Sequence, residues 1–132
     1  MNNNGQSANR FKVAEDMFFG GLNCAQSVVC SFKDILELEE SSLIRLTSGF
    51  GAGIAKNGHV CGAVSGAVVA IGLKFDTEEY RRQNPDIVYN KVNEFIREFE
   101  SQNGSTNCNT LLGGVDLRSN QGMTLMKEKL TT

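Results

Sequence analysis

Apolar positions recur along this chain with a helical period. Phe11, Ala14, Met17 and Phe18 fall on one face of a segment running from Arg10 to Phe19. Ala25, Val28, Val29, Phe32, Ile35 and Leu36 form a second stripe. Leu43, Ile44 and Leu46 mark a short third helix from Glu39 to Thr47. Val88, Val92, Phe95, Ile96 and Phe99 make the clearest amphipathic stripe of all. No segment alternates in the two-residue period of a strand. The pattern predicts an all-α, single-domain bundle of five to six helices, with a glycine-rich loop before a buried small-residue helix.

The polar punctuation agrees with that division. Gly20-Gly21, Gly49, Asn103-Gly104 and Gly113-Gly114 each follow an apolar segment, where glycine accepts the left-handed C-cap conformation. Asn23 and Asn107 are good N-caps, and each is followed by a cysteine. Asn84-Pro85-Asp86 combines a cap, a proline at the first helical position and an acid for the helix dipole. Thr77-Glu78-Glu79 starts a linker or short surface helix over Asp76 to Gln83. Met1 to Asn9 is polar and reads as a disordered lead, leaving one helical domain over residues 10–132. A last weak helix is expected between Ser119 and Lys129.

The stretch Gly49 to Leu73 stands apart. It opens as a glycine loop, passes Cys61 and becomes the least polar run in the chain. Gly62, Gly66 and Ala70 share one helical face, with Ala63 and Ala67 beside it. Small residues at that spacing let another backbone approach closely, which offsets the roughly 1 kcal/mol that each helical glycine costs against alanine. The partner is an internal helix or one from a second copy, so a homodimer stays open.

Length and charge narrow the class. The 132 residues make one domain with room for a core. A net charge of -2 with no basic stripe argues against nucleic acid. The N-terminus lacks the apolar region of a secretory signal. Val60 to Leu73 is too short to span a bilayer. A cytoplasmic protein without membrane insertion is expected. In that setting, four cysteines point to thiols, metal ligands or redox chemistry more than to structural bridges.

Cys24, Cys61 and Cys108 all fall at predicted helix starts. There the macrodipole and free N–H groups favour the thiolate, which is both the redox nucleophile and the soft-metal ligand. The spacings are long and no C-x-x-C occurs, so a shared site has to be assembled by the fold. If they share a helix, Cys24 and Cys30 are about 9 Å apart, too far for a disulfide. Cys30 lies away from the apolar stripe and reads as incidental. The expectation is one pocket holding Cys24, Cys61 and Cys108, with Cys30 outside it.

His59, two residues before Cys61, is a candidate fourth ligand or a base that tunes that thiol. As a lone histidine without a paired carboxylate it reads first as an exposed loop residue. Gly49, Gly51, Gly53 and Gly62 are the candidate cofactor-binding glycines. Gly49-Phe50-Gly51-Ala52-Gly53 is not a dinucleotide fingerprint, because it follows a helix and its third glycine is misplaced. Nor is it a P-loop, since no Ser or Thr follows Lys56. A backbone anion nest remains open, and close packing around the cysteine site is the simpler reading.

Four ordered motifs carry a resemblance. They are Asn23-Cys24-Ala25-Gln26-Ser27, Ser48 to Gly53, Cys61-Gly62-Ala63-Val64-Ser65-Gly66-Ala67, and Asn107-Cys108 with Leu111-Leu112-Gly113. Together they resemble a family of redox-active proteins named for its cysteines and CGAxxG pattern, itself similar to the C-terminal domain of split-Soret cytochrome c. The similarity covers roughly residues 11 to 118. It implies a small helical domain with a cysteine site and, in the cytochrome relative, an iron–sulfur cluster. By position, Cys24, Cys61 and Cys108 match three of the family's four cysteines. The fourth normally follows a C-terminal extension and has no counterpart before Thr132. Three readings follow: electron transfer through an iron–sulfur cluster on these cysteines, a metal-free thiol–disulfide protein, or a helical binding module with structural cysteines. The redox partner is not legible, and no catalytic acid/base pair is visible.

Overall fold

The computed structural model describes residues 3–113. Helix α1 (Asn3–Phe19) is followed by α2 (Cys24–Cys30) and α3 (Glu40–Thr47), with a 3-10 turn over Ser48–Phe50. Then come α4 (Gly62–Phe75), α5 (Glu78–Gln83), α6 (Ile87–Asn103) and α7 (Cys108–Leu111). These are seven α-helices among the described residues, five of them of seven residues or more, and the all-α expectation holds. The only β-type pairing among those residues is an isolated antiparallel bridge between Val60 and Asn107. No helix among them is long and apolar enough to cross a membrane. The expected Ser119–Lys129 helix lies outside the described residues.

The caps are where the sequence puts them. The Asn23 side chain accepts the Gln26 N–H at 2.8 Å, and Gln26 Oε1 returns the favour to the Asn23 N–H at 3.0 Å. This closes a capping box that satisfies two orphan donors at the start of α2. Asn107 accepts the Thr110 N–H at 3.0 Å. Gly104 ends α6 at φ 85°, a conformation that side-chain-bearing residues rarely adopt. Two starts differ from expectation. Helix α1 begins at Asn3 rather than Arg10, because polar residues that form no apolar stripe still accept helical backbone. Helix α6 begins at Ile87, since Asn84 Oδ1 instead accepts the Asp86 N–H in a tight turn at 3.0 Å.

The core forms around α2, which packs against α1, α3 and α4. Val29, Cys30, Leu36, Leu43 and Ala70 are buried together, with Met17, Phe32, Ile44, Val69 and Leu73 packed around them. This corrects the reading of Cys30 as an incidental residue off the apolar stripe. It is fully buried. The wheel that placed it outside ran the helix through Leu36, whereas α2 ends at Cys30 and a turn follows. With α1, α3 and α4 packed around it, α2 has Cys30 on a covered side.

The small-residue face of α4 is filled from within the chain. A Cβ built on Gly66 would stand 2.6 Å from the Ala25 carbonyl oxygen. The two backbones therefore touch, and this face is not free for a partner helix.

Candidate functional site

Each of the three expected cysteines sits at a helix start. Cys24 is the first residue of α2 and Cys108 the first of α7, while Cys61 is the N-cap of α4. Different contacts bring them together. Gly62, next to Cys61, admits α2: a Cβ there would lie 3.1 Å from Cys24 Cβ and 3.2 Å from the Ala25 nitrogen. Cys108 arrives through the bridge. The Cys61 N–H donates to the Thr106 carbonyl at 2.7 Å, and the Cys108 N–H donates to the His59 carbonyl at 2.6 Å.

That hydrogen-bond pattern makes Val60 and Asn107 the opposed pair and fixes which way their neighbours face. Side chains alternate across a strand, so Cys61 and Cys108 share one side and stand diagonally to each other. Cys108 is buried with Ala52 and Leu112, and Cys61 packs against that cluster half-exposed. Cys24 is also half-exposed.

The thiols feel one another. Burial pushes Cys24 up to about 12, and negative charge on Cys61 and then on Cys108 adds to the rise. Burial pushes Cys108 up to about 11, with Cys61 again the charged neighbour. Cys61 is thus common to both pairs. This reverses the expectation of a favoured thiolate at Cys24 and Cys108. The backbone N–H at Cys24 does pull its pKa down, but it is the weakest of the contributions. Two causes decide the sign: desolvation disfavours the anion, and α2 and α7, at seven and four residues, are short. Cys30 lies outside the trio. Its thiol is raised by burial first and by Glu40 second, with Lys33 opposing.

The glycines separate by position. Gly51 packs on Asn23, with a Cβ there 2.8 Å from that side chain. Gly53, at φ 71°, has no room for a side chain because a Cβ would meet the His59 nitrogen at 2.5 Å. Gly62 is the close approach to Cys24. Gly49 has open space around it, so its position makes no steric demand for glycine. The loop is not an alternating nest either: Ala52, Gly53, Ile54, Ala55 and Lys56 are all left-handed. Sequence reading missed this run, since nothing in Ala, Ile or Lys signals it. It also missed Ala52 as a wall of the cysteine cluster. His59 is exposed and contributes through its backbone, accepting from Cys108 and donating to the Gly53 carbonyl at 2.9 Å.

Thiols are the donors that iron and zinc take, so the chemistry of the set suits a metal. Among the described residues no group of three or more His, Cys, Asp or Glu is arranged to hold a metal ion.

The family model described as "Putative redox-active protein (C_GCAxxG_C_C)" matches residues 22–131. An uncharacterized protein of Archaeoglobus fulgidus is 33% identical over 105 residues, covering 74% of this chain and 70% of that protein. No solved structure matches the chain.

Proposed function

The chain belongs to the C_GCAxxG_C_C family of redox-active proteins, and we propose from that premise that it works by thiol–disulfide exchange at Cys61 and Cys24. The observation that carries this reading is the asymmetry among the thiols. Cys61 is half-exposed, stands at the N-cap position of a 14-residue helix and is the one thiol coupled to both others. It is the nucleophile. Cys24 and Cys108 stay protonated at neutral pH. Cys24 is the resolving thiol, because it is half-exposed and Gly62 brings its Cβ to the backbone beside Cys61.

The Cys61 thiolate attacks one sulfur of a partner's disulfide. A mixed disulfide forms and the partner's other sulfur leaves as a thiolate. Cys61 is then uncharged, so one of the causes that raise Cys24 disappears. Cys24 gives its proton to water or the departing thiolate and attacks the Cys61 sulfur. The Cys24–Cys61 bond forms and the partner leaves as a dithiol, reduced by two electrons. The substrate class is a protein or small-molecule disulfide.

Anaerobic reduction followed by a disulfide oxidant tests this. Mass analysis of the digested protein should find Cys24 and Cys61 joined, and Cys61→Ser should abolish the mixed disulfide. Uptake of no oxidising equivalents by the wild type would overturn it. The alternative proposal is an iron–sulfur cluster held by Cys24, Cys61 and Cys108. Stoichiometric iron and acid-labile sulfide in anaerobically purified protein would favour that alternative and sink the thiol reading.

A further inference from the structure

Ala52, Gly53, Ile54, Ala55 and Lys56 all carry positive φ, between 50° and 71°. Left-handed backbone drives Cβ into a carbonyl oxygen, so L-residues visit it singly and not in runs. Here four of the five residues have a Cβ, and Ile54 is β-branched, the residue class least suited to positive φ. The run is held by a few bonds. Ala55 N–H donates to the Gly49 carbonyl at 3.0 Å and Lys56 N–H to that of Gly51 at 3.2 Å. Gly58 N–H donates to Ala52 at 3.2 Å and His59 N–H to Gly53 at 2.9 Å.

The segment has an inner and an outer side. Inside, Ala52 is buried against Cys108, Leu112 and Cys61. Outside, Ile54 is 40% exposed and Lys56 is exposed. A strained segment therefore packs over Cys108 through Ala52, exposed on its far side, with bonds inside the loop and one tie to α7, the Asn109 N–H donating to the Gly58 carbonyl at 3.1 Å. Strain of this kind persists only where the surroundings over-determine it, and it collects at switch regions.

We propose that residues 51–58 are a gate over the cysteine site: releasing the left-handed turn exposes Cys108 while the α2 core stays folded. Opening relieves the strain of Ala52, Ile54, Ala55 and Lys56 together, at the loss of the Ala52 contacts, the hydrogen bonds within the loop and the Asn109–Gly58 tie to α7. It makes Cys108 a conditional third thiol, reachable only in the open state. The inference takes from the proposed function only that the thiols must be reached. Its test needs no redox partner, so the two fail separately.

The test is iodoacetamide labelling of the full chain under native, reducing conditions, with each cysteine quantified by peptide mass spectrometry. Cys30, fully buried in the core, reports global unfolding in the same sample. Cys108 should react well ahead of Cys30 in the wild type. Ile54→Gly and Ala55→Gly relieve strain in the closed state but add freedom to the open one. Each should slow Cys108 about threefold, and the pair about tenfold, relative to Cys30. Should a glycine variant fail to fold, Ile54→Asn tests the same point, because asparagine tolerates left-handed backbone. Equal rates for Cys108 and Cys30 in the wild type would overturn the gate. So would Cys108 rates indifferent to all of these substitutions.

Discussion

Two glycines in α4 should respond to the same substitution with opposite signs. At Gly66 an added Cβ would meet the Ala25 carbonyl oxygen at 2.6 Å, its Cα at 3.1 Å and its carbonyl carbon at 3.2 Å. All three are backbone atoms, so no rotamer change relieves the contact, and α2 must move as a body. Alanine gains about 1 kcal/mol over glycine in helix preference. Against that, overpacking of a tight contact costs about 1–3 kcal/mol. Displacing α2 also loosens Ala25 and Val29, both fully buried. We expect Gly66→Ala to lose about 1–2 kcal/mol net.

Gly72 lies in the same helix and has nothing within 4 Å of its built Cβ. Gly72→Ala should therefore keep the helix gain and stabilise by up to about 1 kcal/mol. Urea denaturation of the two variants and the wild type reads this as midpoints moving in opposite directions at constant slope. Displacing α2 also shifts Cys24 against Cys61, so Gly66→Ala should form the Cys24–Cys61 bond more slowly than Gly72→Ala. A Gly66→Ala protein as stable as Gly72→Ala would refute the claim that backbone contact between α2 and α4 explains the small-residue face.

Three further outcomes follow from the same geometry. Cys24 and Cys108 have folded pKa values raised to about 12 and 11 from an ordinary 9.0. Above pH 9 the unfolded chain therefore gives up protons that the folded chain retains. Stability should be flat below about pH 9 and fall toward pH 11–12, by at most about 1.4 kcal/mol per pH unit for each thiol. Denaturation curves across pH 8 to 11 check this, and Cys24→Ser should flatten the fall. Cys30→Ala should cost about 1–2 kcal/mol for the space it opens in the core, leaving thiol exchange at Cys61 unchanged in a disulfide-reduction assay. Asn23→Ala breaks the capping box and should cost about 1 kcal/mol in the same denaturation measurement.

Local chemistry made much of this fold legible. Asn23, Asn107 and Thr77 cap helices because their side-chain oxygens reach free N–H groups within one turn, and that reach is written in three or four residues of sequence. The buried small-residue face was legible for the same reason: Gly62, Gly66 and Ala70 have no other use at that spacing, and all are buried. What failed depended on tertiary surroundings. The wheel misplaced Cys30 because α2 stops short and is enclosed by three helices. The amphipathic stripe of α6 promised a core, yet α6 has no fully buried residue. The left-handed run from Ala52 to Lys56 contradicts the preference of four of its five residues, so only the closed loop around it could reveal it.

The reversed pKa direction is the most instructive of these differences, because it changes the chemistry on offer. Three thiolates at three helix starts would repel one another and await a cation. Cys24 and Cys108, raised by burial, do not. Among the described residues no positive side chain is a cause of the shifts at Cys24 and Cys108, so none of them offsets a second negative charge there. Ionisation at Cys61 suppresses it at the other two, and covalent capture of Cys61 lifts that suppression from both. In the proposed mechanism this sets an order: Cys61 reacts first, and Cys24 follows once the charge on Cys61 no longer adds to its rise. That order suits a nucleophile with a resolving partner. It also gives the proposed gate over Cys108 a consequence, since the one buried thiol of the trio would be kept from reacting both by its raised pKa and by the segment packed on it.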